Sequence, residues 1–330
     1  MINRTIIIIF SFLILLITFI AGVLLYYENY LYKNVQTLEV NIEKGEPYSE
    51  TYEKIFENVK TPPFFDIYLR IFLDFDKKRK YGFYYAENIT IKEFLKDIMS
   101  AKEYLIKIVI IEGLNIYDIA SLLDDKGIVS KKKFINECFN KPFIKSLTNL
   151  DIISIEGFLY PDTYYFPKSS GAKKIIEKMY HNFMKNLPPG FPENIKKNGL
   201  TFYEGITLAS IIQKESYIDD EYPIIASVFY NRLKRNMKLQ ADPTVIYGIY
   251  RKFNGNLKRV DLEDRSNKYN TYIYKGLPPT PICNPSKEAL KAVINPADTN
   301  YYYFVAKGDG RHYFSRTYQE HLSKIRQLYR

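Results

Sequence analysis

Three hydrophobic patterns follow one another along this chain, each with its own spacing of apolar residues. The first is an unbroken apolar run. Residues 6–25 are uncharged and mostly apolar, which is about the length that crosses the roughly 30 Å hydrocarbon core of a bilayer as a helix. A cleaved signal peptide has a shorter apolar region and a small-residue cleavage site, and neither is evident before Glu28. We therefore predict a single transmembrane anchor over residues 6–27.

The residues that flank this run predict its orientation. Arg4 lies in the segment 1–5 ahead of it, which favours a cytoplasmic N-terminus. Lys33 and Lys44 follow the run and weaken that bias. We expect residues 1–5 to be a cytoplasmic tail and the part of the chain after the anchor to lie on the outer side of the cytoplasmic membrane.

The second spacing alternates with a period of two residues and occurs twice before residue 150. Segments 40–45 (VNIEKG) and 108–113 (IVIIEG) alternate apolar residues and end in glycine, and helical periodicity follows each. Between them, an aromatic strand and an amphipathic helix are predicted, with the helix starting near Asn88 or Thr90. Residues 28–150 are therefore predicted to form a small α+β region, which either binds an extended polymer or only spaces the next domain from the membrane.

The third spacing is helical and dominates residues 151–330, where Pro and Gly residues mark the turns. Leu208, Ile211 and Glu215 share one stripe of a predicted helix, which directs a carboxylate at the interior. A second helix begins near Pro223, and we predict that the two pack as a hairpin with Glu215 near its bend. Further along, a Gly-Asp-Gly sequence between aromatic strands indicates a β-hairpin.

The amino-acid composition narrows the class of molecule that the protein is expected to bind. The chain has 47 basic and 37 acidic residues and a formal net charge of +10, which suits an anionic neighbour, although an AT-rich genome would produce the same bias. A domain outside the membrane meets anionic lipids and wall polymers first, so we predict no nucleic-acid partner. The 31 tyrosines suit sugar binding, but their number makes no single one diagnostic.

Cysteine and histidine usage argues against a metal or redox centre. Cys138 and Cys283 lie far apart with no CxxC partner, so a disulfide is permitted but not required. The 3 histidines form no HExxH motif. We predict no metal and no cofactor.

Glu215 is the strongest candidate for chemistry. Partial burial and the negative end of the helix dipole both raise the pKa of a carboxyl group at this position. An acid that keeps its proton near neutral pH is what cleavage of a glycosidic bond requires. Two structural alternatives remain from the residues alone: Glu215 pairs with a buried arginine such as Arg232, or its side chain escapes to solvent at the helix end.

A series of motifs resembles a known family. In order from residue 151 to the C-terminus they are EGFLYPDTY, LASIIQKES, ASVFYNRL, LQADPTVIYG, YNTY, GLPP, YFVA and HYF. This series resembles the MltG (YceG-like) family of membrane-anchored endolytic murein transglycosylases. The resemblance implies an α+β fold with an N-terminal transmembrane helix, a small LysM-like α/β module over residues 28–150, and a mixed α+β YceG-like catalytic domain over residues 151–330 that contains a lysozyme-like helical active-site element.

The same resemblance implies the site residues. Glu215 corresponds to the catalytic glutamate, and Glu215-Ser216 is similar to the Glu-Ser pair of soluble lytic transglycosylases. Arg232 would hold a peptide or lactyl carboxylate or form a salt bridge, and His312 is expected to be exposed at the substrate rim. The candidate substrate-binding residues are Glu156, Asp162, Ser216, Arg232, Gln240, Tyr247, Asn270, Tyr272 and His312.

Several of these positions also have structural alternatives. Glu156 and Asp162 either shape the cleft or fix their turn by hydrogen bonds to the main chain. Asp242 precedes Pro243, so a turn role is the simpler interpretation there.

The resemblance implies cleavage of the β-1,4 bond between N-acetylmuramic acid and N-acetylglucosamine within nascent peptidoglycan strands, which leaves 1,6-anhydro ends and limits strand elongation. The alternatives are a hydrolytic muramidase and a non-catalytic glycan-binding scaffold. Peptidoglycan synthases are the implied protein partners. We also expect that deleting residues 1–27 leaves a soluble protein that still cuts glycan in vitro.

Overall fold

The computed structural model describes residues 4–168 and 170–328. It is a mixed α+β structure with an N-terminal apolar helix. The chain forms two compact units: one runs to Ile106 and includes a short segment from Tyr165, and the other comprises Lys107–Tyr164 and continues from Ser170. The break between the two units, after Ile106, comes earlier in the chain than the domain boundary that we predicted at residue 150. The domain ranges themselves stay a prediction.

The elements follow in chain order. The helices are α1 (Arg4–Leu31), α2 (Tyr48–Phe56), α3 (Phe65–Phe72), α4 (Phe75–Lys78), α5 (Ile91–Met99), α6 (Ile116–Asp125), α7 (Lys131–Cys138), α8 (Lys141–Thr148), α9 (Ala172–Asn186), α10 (Phe191–Lys197), α11 (Phe202–Glu215), α12 (Tyr222–Lys234), α13 (Asp242–Gly248), α14 (Arg259–Glu263), α15 (Lys287–Ile294) and α16 (Tyr318–Leu328). The strands are β1 (Asn34–Ile42), β2 (Gly82–Thr90), β3 (Leu105–Ile110), β4 (Asp162–Pro167), β5 (Tyr303–Ala306) and β6 (His312–Ser315). They pair as three two-stranded sheets, β1 with β2, β3 with β4 and β5 with β6.

Helix α1 contains the predicted anchor. Its segment Ile6–Leu31 is long and apolar enough to cross a membrane, and most of its large apolar side chains up to Leu25 are exposed. The 28 residues of α1 extend about 42 Å at 1.5 Å per residue, which exceeds a hydrocarbon core. The helix continues to Leu31, beyond the predicted end at residue 27, and Leu31 is fully buried.

The first unit is built on the antiparallel pair β1–β2. Along the chain, helices α2, α3 and α4 come after β1 and before β2. Leu38, Val40 and Ile42 alternate into its buried core, as the period of a strand requires. The side chain of Thr90 accepts a hydrogen bond from the backbone N–H of Glu93 and caps α5. The predicted strand and the predicted helix start near Thr90 are therefore confirmed.

Helix α11 lies in the core of the second unit. Every residue from 205 to 213 is buried, so the helix is covered on all sides and not only along one stripe. The hydroxyls of Thr207 and Ser210 donate to carbonyl oxygens one turn back, at 2.9 and 2.7 Å, which satisfies these buried groups. A Cβ on Gly205 would lie 2.8 Å from the side chain of Ile195, so glycine is what allows α10 to pack closely against α11.

Two predicted hairpins are confirmed. Helices α11 and α12 pack together and are joined by a short connection that includes the 3-10 turn Asp219–Glu221. Strands β5 and β6 are antiparallel, with Tyr303 opposite Ser315. Gly308 and Gly310 adopt φ angles of 90° and 87°. Residues with a Cβ rarely adopt such angles, which explains the glycines in the turn.

Candidate active site

Glu215, the last residue of α11, carries the carboxyl group at the centre of the candidate site. The residue retains some exposure, but its Oε1 atom is buried and has no hydrogen-bond partner among the residues that the structure describes. Burial raises the pKa of Glu215 to about 8, the negative charge of Asp242 adds to the rise, and the positive charge of Arg232 opposes it. A carboxyl group in this environment carries its proton at neutral pH, and its Oε1 is not engaged in a hydrogen bond to any described residue.

Arg232 is held by the protein around it. Its Nε donates to the carbonyl oxygen of Tyr302 at 2.7 Å, its Nη1 donates to the carbonyl oxygen of Leu239, and its guanidinium lies 5.5 Å from the ring centroid of Tyr303. The residue is 7% exposed. Within the described part of the chain, no ion pair joins Arg232 to Glu215. Arg232 is therefore a fixed positive charge near the acid and not its salt-bridge partner.

Asp242 and Tyr272 interact electrostatically with this acid, and Gln240 lies close to Asp242 in the chain. The Tyr272 hydroxyl donates to Asp242 Oδ1 at 2.6 Å, and the negative charge of Glu215 contributes to a raised pKa of Tyr272, after burial and the contacts with Asp242. Gln240 is exposed in the left-handed region with φ 50°, and its N–H donates to the carbonyl oxygen of Thr271 at 3.2 Å. The structure thus brings Glu215, Arg232, Asp242 and Tyr272 together, whereas the contact of Gln240 is to Thr271, next to Tyr272.

Ser216 shapes the chain directly after the acid. Its Oγ accepts a hydrogen bond from the N–H of Ile218 at 3.0 Å, and its carbonyl oxygen accepts one from the Tyr222 hydroxyl at 3.3 Å. Only 2% of the residue is exposed. These contacts terminate α11 and turn the chain toward α12.

Glu156 and Tyr247 belong to a separate buried network. Glu156 Oε2 accepts hydrogen bonds from the Tyr247 hydroxyl at 2.9 Å and from the N–H of Ile116 at 3.0 Å, and its Oε1 accepts one from Asn284 at 3.3 Å. Burial raises the pKa of Glu156 to about 8. Because Ile116 is the first residue of α6, Glu156 satisfies a free N–H at a helix start. The residue is fully buried and links elements of the core.

Three further predicted site residues make their contacts outside the group around Glu215. They are Asp162, Asn270 and His312. Asp162 is exposed at the start of β4 and accepts a hydrogen bond from Asn182 at 2.8 Å. The fully buried Asn270 side chain donates to three carbonyl oxygens of the 261–264 segment, at 3.0 to 3.2 Å. Both side chains hold their local backbone or neighbouring helix.

His312 is not exposed as we predicted. Its side chain is only 9% exposed, because Nδ1 lies 2.7 Å from Glu221 Oε2 and its backbone N–H donates to Glu221 Oε1 at 2.9 Å. The ring also packs edge-on against Phe304. The hairpin expected at this position is present, but its histidine faces the 3-10 turn that precedes α12.

Tyr217 is a candidate that sequence analysis did not identify. It follows Ser216 and is 92% exposed, and it lines a cavity of about 470 Å³ together with Lys214 and the acidic residues Glu112, Asp219 and Glu288. Tyrosine side chains in folded proteins are usually at least partly buried, so a ring exposed to solvent close to a buried acid is unusual. Its position directly after the Glu-Ser pair was the available signal, which the abundance of tyrosine obscured.

His321 was also missed. Its ring stacks on Tyr303 with centroids 5.4 Å apart, and its Nδ1 is buried without a hydrogen-bond partner. Burial and the charge of Arg232 lower the pKa of His321, so the ring is neutral at pH 7. Across residues 4–168 and 170–328, no group of three or more His, Cys, Asp or Glu side chains is placed to hold a metal ion.

Comparison with known proteins places this chain in a family. The profile of the YceG-like family matches residues 40–327. An endolytic murein transglycosylase from Bacillus subtilis is 33% identical over 264 residues, which are 75% of this chain and 72% of that protein. One from Streptococcus pneumoniae is 34% identical over 172 residues, 51% of this chain and 31% of that protein.

A solved structure agrees with this match. The crystal structure of a yceG-like protein from Listeria monocytogenes aligns with a TM-score of 0.60 and 29% identity, over 87% of this chain and 98% of that chain. The family profile covers most of the chain, including the anchor-proximal unit and the segment that contains Glu215. This chain belongs to the YceG-like family.

Proposed function

We propose that this protein is an endolytic murein transglycosylase that cleaves peptidoglycan glycan strands with Glu215 as its acid and base. The observation that carries the proposal is the buried Oε1 of Glu215, which has no hydrogen-bond partner within residues 4–168 and 170–328, on a carboxyl group whose pKa is raised to about 8. The names of the relatives from B. subtilis and S. pneumoniae supply the substrate and the reaction class.

The proposed reaction needs one carboxyl group. Protonated Glu215 donates its proton to the glycosidic oxygen of N-acetylglucosamine as the bond from that oxygen to C1 of N-acetylmuramic acid breaks. The Glu215 carboxylate then removes the proton of the C6 hydroxyl of the same muramic acid as that oxygen bonds to C1. The proton balance closes with Glu215 protonated again, and no water is consumed. Proximity within one sugar replaces a bound water as nucleophile.

The surroundings of Glu215 suit this sequence of steps. The charge of Asp242 favours the protonated form needed first, and the opposing charge of Arg232 stabilises the carboxylate formed next. We propose that Gln240 and Tyr272 bind sugar hydroxyl or acetamido groups at this position, and that the exposed Tyr217 ring stacks on a sugar next to the cleaved bond. Glu156, Asn270 and Tyr247 then act as supports of the fold.

We propose that the first unit is a LysM-like glycan-binding module. Its order of strand, helices and strand, with β1 and β2 antiparallel, supports this. Helix α1 anchors the chain in the cytoplasmic membrane, with the N-terminus in the cytoplasm and both units outside, where nascent peptidoglycan strands are made. Peptidoglycan synthases are the protein partners that this location favours.

Product analysis tests the function. We expect the full chain to release fragments with 1,6-anhydromuramic ends from purified glycan strands, and Glu215→Gln to lower the rate by about 10²- to 10⁴-fold because Gln cannot donate a proton. The matched control is Glu263→Gln, an exposed glutamate paired with Arg259 on α14, which should retain the parent rate. Mass spectrometry of the products and the rate of fragment release are measured together.

Three results would contradict the proposal in different ways. Products heavier by one water would have reducing ends and indicate a hydrolytic muramidase. Equal turnover by Glu215→Gln and the parent chain would remove Glu215 from the chemistry, and absence of turnover with retained glycan binding in both would indicate a non-catalytic scaffold.

A further inference from the structure

Helix α3 carries an exposed apolar face in the first unit. Phe64, Ile67 and Ile71 are 72%, 46% and 67% exposed. Ile67 and Ile71 lie one turn apart on one side of the helix, and Phe64 directly precedes its first residue. The opposite side is buried, with Phe65 and Leu69 fully covered. Large apolar side chains that share one exposed face are uncommon on a surface that meets only water.

This face lies next to the end of the membrane helix. The Tyr27 hydroxyl, in the last part of α1, donates to the carbonyl oxygen of Pro63 at 2.7 Å, directly before Phe64. The Tyr27 ring also lies 4.8 Å from that of Tyr68 on α3, between centroids. Leu25, two residues before Tyr27, is still 63% exposed on the apolar segment of α1. Helix α3 therefore meets α1 where the membrane-spanning residues end.

Tyrosines and lysines surround this junction. The Tyr30 hydroxyl donates to the carbonyl oxygen of Lys60 at 2.6 Å, and Lys33 Nζ lies 5.6 Å from the centroid of the Tyr30 ring. Lys33 and Lys60 both line a polar cavity of about 400 Å³. Tyrosine is enriched at the level of lipid headgroups, and lysines there attract anionic lipid. The charge and the aromatic side chains at this level both match a bilayer surface.

We propose that α3 lies in the membrane surface with Phe64, Ile67 and Ile71 at the boundary between headgroups and acyl chains. An amphipathic helix buries its apolar face about 5–10 Å into that boundary. Together with α1, the face forms a continuous lipid-facing surface that fixes the tilt of the first unit on an anionic bilayer. The inference rests on the proposed anchoring of α1 and is independent of the cleavage chemistry.

The absence of tryptophan from the sequence allows a direct test. The full chain is reconstituted, as three single-tryptophan variants, into vesicles that contain anionic lipid and a brominated lipid. The bromine lies near the top of the acyl chains for Ile71→Trp and Val260→Trp, and near their ends for Leu16→Trp, because Leu16 is in the middle of the apolar segment. Ile71→Trp reports the α3 face, Leu16→Trp reports the anchor, and Val260→Trp is the matched control on α14, 68% exposed. Bromine quenches tryptophan only at close range.

We expect the brominated lipid to reduce the emission of Ile71→Trp by roughly twofold or more, as the burial depth of an interfacial helix implies, and to leave Val260→Trp unchanged. Quenching of Leu16→Trp without Ile71→Trp would overturn the α3 proposal while retaining the anchor. A blue-shifted but unquenched Ile71→Trp would show a protein covering the face and would also overturn it. If Leu16→Trp were unquenched, the anchoring and the α3 proposal would both be wrong. Ile67→Trp repeats the measurement on the same face.

Discussion

Glu215 owes its character to the tertiary structure around the end of α11. Its place on an apolar stripe is visible in the sequence, and burial is the largest cause of its raised pKa. Asp242, for which the sequence favoured a turn role, and Arg232, which it offered as one of two alternatives for Glu215, act on Glu215 through their charges. Neither role follows from spacing, because the two residues reach Glu215 from different elements.

The pH dependence of cleavage tests these charges. Because Glu215 must be protonated to donate, the rate should stay high below its pKa of about 8 and fall about tenfold per pH unit above it. Asp242→Asn removes a negative charge that raises this pKa, so the fall should begin at lower pH. A pH–rate profile of single-turnover cleavage measures the midpoint, with the exposed Asp125→Asn as the control. An unchanged midpoint in Asp242→Asn would show that the two carboxyl groups are not coupled.

Glu156 and Glu215 are the same residue type in two different settings. Both Glu156 and Glu215 are carboxyl groups with a pKa raised to about 8 by burial. Glu156 accepts three hydrogen bonds from the protein, whereas Oε1 of Glu215 accepts none. A raised pKa alone therefore does not identify an acid catalyst, and it is the unoccupied oxygen that separates the two.

At the scale of elements, α1 is both a helix long and apolar enough to cross a membrane and a part of the first unit. The sequence predicted an apolar helix and placed its end at residue 27, where the uncharged run stops. The helix continues to Leu31, and its last turns carry Tyr27, Tyr30 and Leu31 into the core of the first unit. The end of the apolar run therefore does not mark the end of the helix.

This overlap changes what is expected of a truncation. Deleting residues 1–27 removes Leu24 and Tyr27, which pack against the buried core, whereas deleting residues 1–22 keeps both. We expect the longer deletion to be less stable than the shorter one by about 2 kcal/mol or more, because loss of a packed aromatic side chain costs 3–5 kcal/mol when it is fully buried. Denaturant unfolding of the two truncated proteins measures the difference.

A pair of point variants separates packing from length. In the chain that lacks residues 1–22, Tyr27→Ala should reproduce most of the loss, and Tyr26→Ala, whose ring is 57% exposed, should be close to neutral. Equal stability of the Tyr27→Ala and Tyr26→Ala variants would show that the packing of Tyr27 contributes nothing to the stability of the first unit.

At the scale of the whole molecule, burial decides the state of the two cysteines. The sequence permits a disulfide between Cys138 and Cys283. In the structure both are free thiols with no exposure, and burial raises the pKa of each. Cys283 Sγ instead donates to the carbonyl oxygen of Ser210 at 3.2 Å.

Thiol reactivity therefore reports the integrity of the fold. In the native chain neither Cys138 nor Cys283 should react with a thiol reagent at neutral pH, since the thiolate is the reactive form and both are inaccessible. Both should react once the chain is unfolded. The matched positive control is Ser323→Cys, at an exposed position on α16, which should add one fast-reacting thiol. A native cysteine that reacts as fast as Cys at position 323 would contradict the buried arrangement.

Local patterns determined much of this protein. The unbroken apolar run, the strand alternation of 40–45, the cap at Thr90 and the helical hairpin all depend on neighbours a few residues away, and each is found where the sequence places it. The motif series was also sufficient to indicate the family, because several short segments in one order are specific together.

Only the tertiary structure decided which side chains meet. Glu156 bonds to Tyr247 and Asn284, 91 and 128 residues away, His312 turns inward to Glu221, and Arg232 is fixed by carbonyl oxygens of two other segments. Periodicity reports which face of an element is buried but not what covers it. The partners of a buried polar group come from distant segments, and so the difference between a supporting carboxyl group and a reactive one appears only after folding.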